Sequence, residues 1–258
     1  MPFTFSHPAA VLPLGKLPGR YISMTGLVIG SMVPDFEYFI RMHDRSDYSH
    51  SWAGIFYFDL PLALLLAFTY HRFIRNALID HLPGFLARRL QTFKQFDWNA
   101  HCKRSIVAVV ISIIIGTLSH IVWDGFSHAH GLFVEMFPFF NKHVPVAGHY
   151  IPVFVLMQHG GSIAGALMIL YSIWILPADR LFRQDYRSFF GYWTAVCVFM
   201  LIVVLFRLKT AASGYDNFDE RIVLLISGWL LGLFFVSLTF SYGKTNEKES
   251  LLLKENKG

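Results

Sequence analysis

The chain has 258 residues, 54% hydrophobic, 17% aromatic and 15% charged, whereas a soluble domain carries about 25% charged residues. Twenty-two Lys and Arg against 17 Asp and Glu leave a formal charge of +5. With a mean hydropathy of +0.46, the composition argues against disorder, a disulfide scaffold or a secreted globule, and for a compact membrane protein with several spans.

Met1-Pro2-Phe3-Thr4 opens the chain without a basic stretch leading into an apolar one, so no cleavable signal is expected. Tyr21 to Val33 is apolar but short, and Pro34 ends it; it reads as a short or partial span. Trp52 to Tyr70 is a candidate span interrupted only by Asp59. Ser105 to Trp123, His143 to Ala178, Ser188 to Phe206 and Ile222 to Gly243 contain no Asp, Glu, Lys or Arg. Each has the roughly 20 apolar residues that cross a bilayer as helix, and the second begins its span near Ile151. The expectation is an all-α bundle with about five or six membrane-embedded helices. It forms a single domain over 1–243, with a polar site built from 1–160 and a charged tail over 244–258. Cys102 and Cys197 have no motif spacing and are expected to be reduced or inert.

Basic residues orient the spans. Arg72, Arg75, Arg88, Arg89, Lys94, Lys103 and Arg104 crowd one connection, and Arg180, Arg183 and Arg187 another. The connection from Arg207 to Arg221 is closer to balance, with Lys209, Asp216, Asp219 and Glu220. Placing the basic connections and the tail inside, and Arg207 to Arg221 outside, satisfies the positive-inside rule. The basic charge therefore signals topology, with no nucleic-acid partner expected.

Measured from the inner ends, the ionisable residues converge on one depth. At 1.5 Å per helical residue, His120 lies roughly 24 Å from Arg104, His50 roughly 30 Å from Tyr70, His159 roughly 27 Å from Pro177 and Asp35 roughly 22 Å from Arg20. His120, Asp124 and His128 are spaced i, i+4, i+8 and share a face if the helix continues through Gly125. Imidazole nitrogen and carboxylate oxygen are ligands for zinc and related divalent ions. A polar face lining a water-filled cavity is the competing reading. Pro34 suits a first helical turn, which would put Asp35 at a helix start where the macrodipole favours its ionised form. Glu37 alone reads as a solvated acid, His50 as a residue facing the same cavity or an ordinary interfacial one beside Trp52, and Asp59 as a protein-facing carboxylate, structural or supporting the site. Gln158 and His159 open a further helix, as residues that touch substrate or support the site. His7 precedes Pro8 at a short helix start, and His130, His143 and His149 fall in a polar connection over the site.

Five motifs occur in order: FTFSHPAAVLPL from Phe3, GSMVPDFEYFIR from Gly30, HSWAGIFYFDLP from His50, LSHIVWDGFSH from Leu118 and MQHGGS from Met157. Together they resemble an uncharacterised bacterial membrane family, domain of unknown function 4184, over Phe3 to about Trp174. More distantly, the order His, Pro-Asp, His-Ser, Ser-His-x-x-x-Asp is similar to inner-membrane metal-dependent hydrolases and the zinc phospholipase C and nuclease class. That likeness implies metal ligands at His7, Asp35, His50, His120 and Asp124, with His128 as a further one. The second helical His-x-x-x-Glu pair of the soluble enzymes has no equivalent, since His130 and Glu135 are wrongly spaced, so one or two ions are expected.

The leading expectation is a hydrolase of a bacterial inner membrane. Zinc or a similar divalent ion would cleave a phosphoester of a lipid or lipid-linked substrate at the extracytoplasmic boundary. Asp35 would bridge metals or orient water, and Glu37 would act as general base. A metal or proton transporter, or a cofactor-binding module, is the alternative; haem is a third reading, without a Cys-x-x-Cys-His motif.

Overall fold

The computed structural model describes residues 3–211, 215 and 217–255, with side chains to Ser241. Asp216 and the end of the expected tail, 256–258, lie outside the described residues. In chain order the helices are α1 (Met24–Gly30), α2 (Phe36–Arg41), α3 (Leu60–Thr69), α4 (Arg75–His81), α5 (Gly84–Leu90), α6 (Trp98–Arg104), α7 (Ile106–Ser127) and α8 (Leu132–Met136). A hairpin of β1 (His143–Val146) and β2 (His149–Pro152) precedes α9 (Val153–Trp174), α10 (Tyr186–Thr210) and α11 (Phe218–Glu255). The fold is nearly all-α, and four stretches have the length and apolarity to cross a membrane: Ile106–Ser127, Val153–Trp174, Tyr186–Thr210 and Phe218–Ser241. These coincide with the four uncharged stretches of the sequence, and α9 starts two residues after Ile151.

The two remaining candidate spans are less regular, and the second lies in a helix that runs unbroken over 54–81 with π turns in it. Tyr21 to Val33 yields only the seven-residue α1, followed by a 3-10 turn at Val33–Asp35 that runs into α2. Trp52 to Tyr70 becomes a π-helical turn at Ile55–Asp59 continuing into α3. Pro61 brings no N–H and its ring crowds the preceding turn, and a widened turn just before it accommodates both. The hairpin is a departure from a purely helical reading. Its turn, Ala147-Gly148, has positive φ at both residues, +48° and +86°, as a type I′ turn requires. Asn-Gly would have advertised that turn in the sequence; Ala-Gly does not.

The described residues group into two compact units. In the first (1–38, 45–67 and 98–175), α1 lies flush against α7 because small residues meet there. A Cβ on Gly30 would strike the Ile113 carbonyl, and one on Gly116 the Leu27 carbonyl and the Ser31 nitrogen. Such small-residue faces let backbones approach in membrane proteins, where water does not drive helices together. Ile29, Val33, Ala63, Ala67, Val109 and Ile113 fill the apolar core around this contact. In the second unit (39–44, 68–97 and 176–258), α10 and α11 form the main pair, with Gly228 against Met200 and Gly232 against Val196. Asp185 caps α10 by accepting from the Arg187 and Ser188 amides.

Candidate metal centre

Four side chains of the first unit converge. Asp35 closes the 3-10 turn that Pro34 opens, and the Thr4 hydroxyl donates to its Oδ2 at 2.5 Å, leaving Oδ1 facing inward. His120 lies within α7 and donates from Nδ1 to the Ser31 carbonyl at 2.8 Å. The close approach of α1 to Gly116 brings that carbonyl within reach. With Nδ1 protonated, the neutral ring presents its Nε2 lone pair to the centre, the usual way a second partner fixes a metal-binding imidazole. Asp124 follows one turn later on the same face.

His50 arrives on a loop, and Glu37 holds that loop. Its carboxylate accepts from the backbone N–H groups of Asp47, Tyr48 and Ser49 at 2.9, 3.0 and 2.7 Å, and from the Ser46 hydroxyl at 3.1 Å. Burial alone would raise the Glu37 carboxyl, but the amide donors pull it down to about 2. Ser49 Oγ then meets His50 Nδ1 at 2.9 Å. The backbone at His50 is left-handed, φ +58°, a conformation that costs on the order of 1–3 kcal/mol for a residue other than glycine and that the surrounding bonds sustain.

The distances between the inward atoms are informative. His120 Nε2 is 3.4 Å from Asp35 Oδ1 and 3.2 Å from Asp124 Oδ2, and His50 Nε2 is 3.6 Å from each of the same oxygens. All four ligand atoms lie within 4.8 Å of one another. A hydrogen-bonded set would close to about 2.9 Å. Four ligands on arms of about 2.1 Å around a tetrahedral ion sit about 3.4 Å apart. His120 Nε2 is buried with no hydrogen-bond partner, although it faces two carboxylate oxygens. The donor set, its spacing and that orphaned nitrogen fit a divalent cation, so Asp35, His50, His120 and Asp124 could hold one.

Asp124 also looks the other way. Its Oδ1 is 3.5 Å from His7 Nε2 and 3.7 Å from His128 Nδ1. The His7 ring stacks on His120 at 3.9 Å, and both His7 nitrogens are buried without a partner. Burial, and next the neighbouring His120, push His7 down to about 4, which leaves neutral imidazole, the form that ligates metal. His128 reaches Asp124 from outside the helix: α7 ends at Ser127 and His128 is its extended cap. The helix continues through Gly125 as the shared face requires, and the His128 N–H still donates to the Asp124 carbonyl at 3.1 Å.

The other expected residues are dispersed. Asp59 is fully buried and neither of its oxygens has a hydrogen-bond partner, yet it lies within electrostatic reach of His50 and His120. His159 is exposed and Gln158 half-buried on α9, and neither contributes an atom to the cluster. His130, His143 and His149 are exposed. The carboxylate expected as a general base, Glu37, is occupied by the 47–49 backbone. Sequence reading did not identify Thr4, Ser31 or Ser49 as supports. The signal for Ser31 was available in Gly26-x-x-x-Gly30 facing Ser112 and Gly116, a small-residue pattern that foretells close backbone approach.

Residues 1–238 match the family model described as Domain of unknown function (DUF4184). No curated protein matches the chain, and no solved structure does. The likeness to inner-membrane hydrolases gains no support from these comparisons.

Proposed function

The chain belongs to the family of Domain of unknown function (DUF4184), and for this member we propose a membrane-embedded, metal-dependent hydrolase acting on a phosphoester of a lipid or lipid-linked substrate. The observation that carries the reading is the 3.2–3.6 Å spacing of imidazole nitrogens and carboxylate oxygens, wider than hydrogen bonds and close to the edges of a zinc tetrahedron. Asp35, His50, His120 and Asp124 are the primary ligands. His7 and His128 form a second position that Asp124 bridges, which gives one or two ions. A bound divalent ion supplies an acidified water and neutralises charge on phosphate oxygens. Glu37 positions His50 rather than moving a proton. In this reading the site faces the extracytoplasmic side of a bacterial inner membrane and the tail from Lys244 the cytoplasm; support comes from the distribution of Lys and Arg. Asp59, buried and unbonded within an apolar helix, favours a second reading, metal or proton transport, since such residues also mark ion paths.

The test is metal analysis of detergent-purified wild type beside His120→Ala, Asp124→Asn and Glu37→Gln. Wild type is expected to retain stoichiometric zinc or a related ion, and the two ligand variants to lose it. Glu37→Gln should weaken binding by about 10- to 100-fold, as loss of ligand support does. Substoichiometric metal in all four proteins, with folding intact, would overturn the metal centre. If metal is present, a phospholipid panel analysed by mass spectrometry separates the readings: hydrolysis products from wild type alone support the enzyme, whereas metal flux into vesicles without products supports transport.

A further inference from the structure

The second unit carries a groove that neither the metal centre nor the proposed hydrolysis uses. It has a volume of about 570 Å³ and opens along α10. Phe199 and Phe235 stack at 5.1 Å, and Ile202, Phe206 and Leu231 continue the apolar lining. Ile202 and Phe206 are 61% and 67% exposed, on a helix with the length and apolarity of a membrane span. Lipid chains are the natural solvent of such a wall.

The groove is not apolar throughout. Arg207 lines it two turns beyond Phe199, roughly 12 Å along the helix, and Arg41 lines it as well. Arg207 is anchored: its Nε donates to the Tyr215 hydroxyl at 2.8 Å, and that hydroxyl donates to the Met42 carbonyl at 2.8 Å. Met42 has a left-handed backbone, φ +52°, which turns the chain there. A guanidinium has five N–H donors, and only Nε is engaged among the described residues. Among the described residues its two terminal amino groups carry no bond, and the Nε anchor fixes their orientation, the arrangement with which arginine binds a phosphate bidentately. A hydrocarbon-lined groove with two guanidinium groups on its lining complements one molecule, a lipid with an anionic phosphate headgroup.

We infer that this groove is a binding site for an anionic phospholipid, with acyl chain along Phe199, Ile202 and Phe206 and phosphate at Arg207. The inference stands on the second unit alone and does not depend on the metal centre. The headgroup discriminates through charge, and the groove through its apolar length.

Native mass spectrometry tests it. Detergent-purified full-length protein is equilibrated with equimolar phosphatidylglycerol and phosphatidylcholine of identical chains, in wild type, Arg207→Gln and Ile202→Trp. Wild type should retain phosphatidylglycerol in preference by roughly fivefold, what one interfacial arginine contributes toward an anionic surface. Arg207→Gln should bring the two lipids to parity, and Ile202→Trp, which fills the groove from an exposed position, should lower retention of both. Because Arg207 also anchors Tyr215, Ile202→Trp provides the arm that leaves that lock untouched. Equal retention of the two lipids by wild type, or retention unaltered by Ile202→Trp, would defeat the inference. Displacement of the lipid by inorganic phosphate at equal concentration would also defeat it, reducing the site to a phosphate contact. Metal content unchanged in both variants shows that any lipid effect is separate from the first unit.

Discussion

The two units differ in how many buried polar groups they leave unpaired in one place. In the second, the polar groups between the helices pair locally, with Gln184 Oε1 an exception: the Tyr192 hydroxyl meets Ser237 Oγ at 2.8 Å, and His81 bridges the Ala77 carbonyl and Ser188 Oγ at 2.6 and 2.8 Å. Around them Val196, Leu233 and Val236 pack on long, regular α10 and α11. The first unit uses short turns, 3-10 at Thr4–Ala10 and Val33–Asp35 and π at Ile55–Asp59, and leaves His7, His120, Asp124 and Asp59 with buried unbonded atoms. Unpaired buried polar atoms cost free energy, so a fold that concentrates them in one place reserves that place for something else. Regular helices satisfy their own backbone and suit the scaffold, whereas broken turns aim side chains from several directions at one point.

Three substitutions probe that contrast, beginning with the most severe. Gly116→Leu forces a side chain into the Leu27 carbonyl and Ser31 nitrogen, both backbone, so the neighbours cannot yield. Overpacking of this kind costs about 1–3 kcal/mol or more, and displacement of Ser31 from His120 should remove bound metal as well. A thermal melt and metal assay on one preparation check both, and normal metal with a normal melt would break the link drawn between helix approach and site. Asp59→Asn should have the opposite sign. Removing a buried carboxylate that has no partner is expected to stabilise by about 1 kcal/mol, or roughly 2–4 °C. A lower melting temperature would mean that Asp59 is held by bonds the structure does not contain. Tyr192→Phe is the mildest. It strands Ser237, which has zero exposure, at about 1 kcal/mol, and should leave metal content unchanged, since its effect belongs to the second unit.

The long helices were legible because a bilayer allows little else: an uncharged run of twenty residues has to satisfy its backbone internally. The cluster was legible for a related reason. His50, His120 and Asp35 fall at matching distances from the basic ends of their stretches, Asp124 lies one turn from His120, and ionisable residues beside apolar runs are seldom incidental. What the residues did not reveal depended on partners distant in the chain. Glu37 reads as a surface acid until its carboxylate is seen gathering the amides of 47–49. His128 matches the helical spacing but arrives as the extended cap of α7. His159 has a matching distance along its stretch but lies exposed on α9, because spacing fixes height along a helix and not the direction a side chain faces.

The positive φ at His50 has a practical consequence for any mutational scan. Replacing His50 with alanine removes an imidazole and also asks a poorly suited residue to keep an unfavourable turn, so two losses arrive together. Asparagine tolerates left-handed backbone far better than most residues, and glycine adopts it freely. Comparing alanine, asparagine and glycine at this one position would therefore apportion the damage between the missing donor atom and the bent chain that delivers it.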